Sequence, residues 1–162
     1  MNGVLTQKAE ETVKILKEKG LTLATAESCT GGLLSAVLTT VSGVSQVFEL
    51  GVTSYSCRIK NEVLGVEAQT LTDFGAISEQ TARQMAENVR RIAGSDIGAS
   101  VTGVAGPQSS EGHPVGYIFI AVAGSNGTKV QLLNVEDRGR DAVRESAVCA
   151  VLDLIEYYIK DI

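Results

Sequence analysis

The sequence predicts an α/β fold with three layers, α/β/α, built on a mixed, mainly parallel sheet of about five strands within one domain spanning residues 1–162. Three observations predict it. The 162 residues are 44% apolar and 20% charged, enough for one sizeable core. Tryptophan is absent and glycine occurs 17 times, which points to small aliphatic side chains and close backbone contacts. Segments of helical period alternate along the chain with short β-branched runs, and parallel neighbours in a sheet need such helical crossovers.

Leu5, Ala9, Val13 and Leu16 recur at helical spacing, with Lys8, Glu11, Lys14 and Glu18 elsewhere and Gly20 ending the helix. Residues 21–26 (LTLATA) read as a strand, and residues 30–40 (TGGLLSAVLTT) as a helix with glycines in its opening turn. Residues 47–56 form a second strand, followed by a short helix carrying Ile59, Lys60, Val63 and Leu64 and ending at Gly65. Ser78 caps a helix whose apolar stripe is Ala82, Met85, Val89 and Ile92, and Gly94 ends it. Residues 96–103 and 115–123 are strands, the second so continuously apolar that a central position is expected. The turn GSNGT leads into KVQLLNV as an antiparallel hairpin. A last helix over 140–159 buries Val143, Ala147, Val151, Leu154 and Tyr158. The conspicuous polar excursion is GPQSSEGHP at 106–114, after a strand end, where ligands bind in sheets of this kind.

Charge and composition narrow the function classes. A net charge of −5, without a basic block, argues against nucleic acid as a partner. Residues 1–20 mix four lysines with three glutamates, unlike a signal peptide, and no apolar run is long enough for a membrane span. Cys29, Cys57 and Cys149 are odd in number and widely spaced, which fits reduced thiols rather than a disulfide framework or a zinc cluster. The expectation is a soluble, cytoplasmic protein with no bound metal.

The stretch ATAESCTGG at 24–32 sets two nucleophile types side by side before the glycine-opened helix. Ser28 there is either a helix N-cap or a nucleophile, with the N–H groups of Thr30, Gly31 and Gly32 ready for developing negative charge. Cys29 is either a thiol activated by the same helix start or a small buried filler. His113, the single histidine, sits far along the chain, so a Ser-His-Asp arrangement has no support from spacing. Lys60 lies beside the apolar stripe of its short helix. It is either an amphipathic side chain reaching water or a desolvated, neutral base. Tyr55 is either a packing residue or a hydroxyl that passes a proton. Thr102 and Gly103 end a strand in small residues, as a ligand or a tight turn would require. Arg140 opens the last helix, as an anion ligand or a solvated cap.

Taken together, TAESCTGG at 25–32, SG at 42–43, YS at 55–56 followed by Lys60, GAIS at 75–78, VTGVAGP at 101–107, PVG at 114–116 and Arg140 resemble the nicotinamide-nucleotide amidase family. That family is also known as the C-terminal domain of the CinA competence/damage-inducible proteins. The resemblance runs from about residue 5 to residue 158 and is to the stand-alone form of the domain. It implies hydrolysis of nicotinamide mononucleotide to nicotinate mononucleotide and ammonia, without metal or organic cofactor. It also implies Ser28 as nucleophile, Lys60 as its base and Tyr55 as an assisting hydroxyl, with Thr30, Gly31, Gly32, Gly43, Thr102 and Arg140 lining the substrate site. A homo-oligomer is expected on general grounds. The chain departs from the family pattern at Gln108 through His113, where a glycine-rich run and a lysine are usual. A non-catalytic nucleotide-binding or sensing module of the same fold, altered in that loop, is the alternative function.

Overall fold

The computed structural model describes residues 3–162. Its elements are α1 (Gly3–Lys19), β1 (Leu23–Glu27), α2 (Leu33–Leu38), β2 (Phe48–Thr53), α3 (Cys57–Glu62), α4 (Ala68–Phe74), α5 (Glu79–Ala93), β3 (Ile97–Gly103), β4 (Tyr117–Gly124), β5 (Gly127–Asn134) and α6 (Arg140–Lys160). The sheet order is β2-β1-β3-β4-β5. β1 pairs parallel with β2 and β3, while β4 is antiparallel to both β3 and β5, so four of the five strands share one direction. The continuously apolar β4 is an interior strand, but β3 holds the centre.

The two faces of the sheet are packed differently, and side-chain size explains why. On one face Leu23 of β1 and Ile97, Ala99 and Val101 of β3 meet α1, α2 and α6 in the main core. On the other, β1 presents Ala24 and Ala26, and β4 presents Ala121 and Ala123, to α5. β3 presents Gly98, Ser100 and Thr102 on that same side, as the period of a strand requires. These small residues let α5 lie close: a Cβ on Gly98 would stand 2.1 Å from the Ala86 carbonyl oxygen, and the Ser100 hydroxyl donates to the Ala82 carbonyl at 2.6 Å.

Local signals set several boundaries. The Ser78 hydroxyl accepts from the Thr81 amide, and Gly94 closes α5 in the left-handed region at φ 66°. The Ser56 hydroxyl caps α3 by accepting from Ile59 N–H. The β4–β5 hairpin closes between Gly124 and Gly127, and the buried Tyr158 of α6 braces it by donating to the Gly127 carbonyl at 2.7 Å. Two elements were not anticipated: α4, and a short 3-10 turn at Val44–Gln46. Ile92 and Val63, expected on buried stripes, are exposed.

The expected helix at 30–40 is shortened to α2, Leu33–Leu38. Gly31 and Gly32 are left-handed, at φ 59° and 97°, so residues 28–32 form a turn instead. Ser28 is therefore not a helix cap. Its amide donates to the Val101 carbonyl, and the helix start is satisfied by Glu27.

Candidate active site

β1, β2 and β3 are parallel and end in register at one edge of the sheet, with Glu27 opposite Thr53 and Val101. The residues that follow them, Ser28, Ser54–Tyr55 and Val104–Gly106, meet there, the place where open α/β sheets bind ligands. A cavity of about 400 Å³ opens at that edge, within the range of small-molecule sites.

Glu27 shapes the turn that presents Ser28. Its carboxylate is fully buried. One oxygen accepts from the Thr30 hydroxyl at 2.7 Å, Gly32 N–H at 3.1 Å and Leu34 N–H at 3.0 Å; the other accepts from Ser35 N–H and its hydroxyl at 2.9 and 2.8 Å. The carboxylate thus takes the role that an external anion would have at this helix start. The turn is braced from outside by Arg144 of α6, which donates to the Thr30 carbonyl at 2.7 Å. Because a buried carboxylate with these donors cannot be replaced by an amide without setting N–H against N–H, Glu27→Gln is expected to destabilise the fold by about 3 kcal/mol. Urea denaturation measures this; a loss under about 1 kcal/mol would mean the network is not cooperative.

Lys60 is 1% exposed, and its amine lies 2.8 Å from the Ser28 hydroxyl, a contact that spans 32 residues of chain. The amine also donates to the Ser54 carbonyl at 2.6 Å, which fixes its direction. Burial holds the Lys60 amine below the usual lysine value of 10.5, opposed by the nearby Cys57, Cys29 and Glu111. Cys29 is buried and its thiol is pushed up to about 12, chiefly by the same desolvation. It therefore stays protonated at neutral pH, and of the two adjacent candidates it is the serine whose side chain meets the buried amine.

Tyr55, Thr102 and Arg140 line the same cavity. The Tyr55 ring is exposed and its hydroxyl accepts from Arg140 at 2.8 Å; it has no hydrogen bond to Ser28 or Lys60 among the described residues. Arg140 also donates to the Gly106 carbonyl, so one guanidinium ties together the loops after β2 and β3. The Thr102 hydroxyl is buried and donates to the Ala76 carbonyl at 2.7 Å. Thr30, Gly31, Gly32 and Gly43 are not part of the cavity wall. The Gly32 N–H expected as a donor is committed to Glu27 and the Gly31 N–H to the Ser28 carbonyl, while the Thr30 hydroxyl also binds Glu27. Gly43 opens the 3-10 turn, near Lys17.

His113 stacks on Tyr117 at 4.2 Å between ring centroids and does not face the cavity, which removes it as a base for Ser28. Its loop still contributes a wall residue that sequence reasoning missed, Glu111. The signal was a carboxylate next to Gly112 in the polar loop after β3, but the backbone amides it meets come from residues 76 and 77 and are invisible in the sequence. Among the described residues no group of three or more His, Cys, Asp or Glu side chains is arranged to hold a metal ion. No helix among them is long and apolar enough to cross a membrane.

The sequence profile of the CinA C-terminal domain matches residues 5–159. This chain belongs to the CinA C-terminal domain family. Among CinA relatives, a protein of Acetivibrio thermocellus named as competence-damage inducible is 47% identical over 147 residues, covering 90% of this chain and 35% of that protein. One of Desulforamulus reducens with the same name is 45% identical, covering 95% of this chain and 38% of the relative. The chain thus spans little more than a third of the length of these relatives. The crystal structure of the competence/damage inducible protein CihA from Agrobacterium tumefaciens superposes with a TM-score of 0.93 at 35% identity, covering 97% of this chain and 96% of that one. A CinA superfamily protein from Klebsiella pneumoniae superposes with a TM-score of 0.95 at 29% identity over the full length of both chains.

Proposed function

We propose that this CinA domain is an amidohydrolase that converts nicotinamide mononucleotide to nicotinate mononucleotide and ammonia by a Ser-Lys mechanism. The observation that carries this reading is the buried Lys60 amine 2.8 Å from the Ser28 hydroxyl at the mouth of a substrate-sized cavity. A serine becomes an effective nucleophile only when a neighbouring group takes its proton, and a desolvated lysine is such a group.

In the first step the Ser28 oxygen bonds to the carboxamide carbon while its proton passes to the neutral Lys60 amine. The carbonyl electrons move onto oxygen. The amide of Cys29 adjoins the nucleophile and is the natural donor to that oxyanion. The C–N bond then breaks, Lys60 returns the proton to the leaving nitrogen as ammonia, and an ester on Ser28 remains. Water attacks the ester with Lys60 again taking a proton, releasing the carboxylate and restoring the serine. Throughout, the Ser54 carbonyl keeps the amine aimed at the reacting centre. Arg140 spends donors on Tyr55 and Gly106 and has others left for the phosphate, with Tyr55 holding it in place.

The reading is tested by following ammonia from purified protein given nicotinamide mononucleotide. Steady release supports it. Binding of the nucleotide without release would instead fit a sensing module.

A further inference from the structure

We propose that Glu111 selects a cationic ring beside the scissile carboxamide, so that the cavity takes zwitterionic nucleotides with the anion toward Arg140 and the cation toward Glu111. This rests on the amidase reading and deepens it. Among the described residues Glu111 is the one carboxylate in the cavity wall, and Arg140 is the guanidinium that shares the wall with it. In the amidase reading Lys60 works as a neutral amine, which leaves these two residues to carry the site's fixed charges.

The loop is shaped to hold that carboxylate. One of its oxygens accepts from Ala76 N–H at 3.1 Å and the other from Ile77 N–H at 3.0 Å. To make these bonds Glu111 adopts φ 51°, in the left-handed region that residues other than glycine rarely occupy. Gly75 leaves the space: a Cβ there would stand 2.5 Å from a Glu111 carboxylate oxygen. Both partners are neutral amides, and no cation pairs with Glu111 among the described residues, so its negative charge is held in place without being cancelled. The charge also reaches the reacting centre, where it opposes the effect of burial on Lys60. A pyridinium ring attached to the carboxamide supplies the missing positive partner; a neutral ring of the same shape does not.

The test compares kcat/KM for nicotinamide mononucleotide with that for the isosteric C-nucleotide in which an uncharged benzamide ring replaces the pyridinium, in the unsubstituted chain and in Glu111→Gln. Any loosening of the loop, and any change at Lys60 once the nearby charge is gone, acts on both substrates alike, whereas loss of the attraction to the ring lowers the cationic one alone. The expected result is a fall of about tenfold or more in the ratio of cationic to neutral substrate, as for an opposite charge several ångströms away in a partly dry site. An unchanged ratio, in a chain that does hydrolyse nicotinamide mononucleotide, would overturn the assignment of Glu111 and leave the amidase reading standing. Absence of ammonia release from the unsubstituted chain would overturn the amidase reading and this inference with it.

Discussion

Ser28→Ala is expected to abolish ammonia release from nicotinamide mononucleotide, with kcat lower by about 10⁴-fold or more and the fold retained. The size of the effect follows from the absence of a substitute. Cys29 is the adjacent nucleophile, but desolvation pushes its thiol up to about 12 and leaves little thiolate near neutral pH. The fold survives because the Ser28 side chain makes one hydrogen bond among the described residues, with Lys60, while the turn is held by its backbone, by Glu27 and by Arg144. The variant should still bind the nucleotide, since Arg140 and Glu111 are untouched. A thiol mechanism predicts the reverse pattern, with Cys29→Ala inactive and Ser28→Ala active. Measuring ammonia release and the urea midpoint on both variants separates a chemical effect from a folding one.

Lys60→Met is expected to lower kcat by about 10³- to 10⁴-fold, because it removes both the acceptor of the Ser28 proton and the donor to the leaving nitrogen. Lys60→Arg should be equally inactive, since a guanidinium does not give up its proton. The unsubstituted enzyme should gain kcat/KM as pH rises through the Lys60 titration, at a pH below the ordinary value of 10.5. Stability follows the same group. The folded chain releases the Lys60 proton at lower pH than the unfolded chain, so between the two values the unfolded state binds more protons and stability rises with pH. Below that window the full penalty for burying the ammonium is present; above it the penalty has gone. Lys60→Met should lack this rise, which urea denaturation across the alkaline range would show.

Much of the fold was legible because it rests on local rules. Ser78 and Gly94 bound α5 through a hydroxyl cap and a left-handed glycine, both readable from a few residues. α4 was not, because AQTLTDF buries only Thr70 and depends on packing against α5, where Gln84 donates to the Thr70 hydroxyl at 3.0 Å. Residues 30–32 were misread as the opening turn of a helix for a related reason. Helix propensity continues through the glycines, whereas the decisive partner is Glu27, whose buried carboxylate gathers donors up to eight residues ahead. An acid at a strand end gives no sign in sequence that it will be buried. In the site, Ser28 was visible at a strand end as either a cap or a nucleophile, but its meeting with Lys60 is a tertiary contact that spacing cannot reveal. The family resemblance pointed to it. Resemblance also drew Thr30, Gly31 and Gly32 into the substrate site, although the turn spends the Thr30 hydroxyl and the Gly31 and Gly32 N–H groups on its own structure.

The central claim is that the Lys60 amine beside Ser28 gives up its proton more readily than an ordinary lysine, and lysine side-chain NMR titration tests it most directly. With ¹³C at the lysine Cε positions, one resonance should titrate clearly below 10.5 and vanish in Lys60→Met. Titration of every lysine at its ordinary value, with the protein folded throughout, would contradict the account.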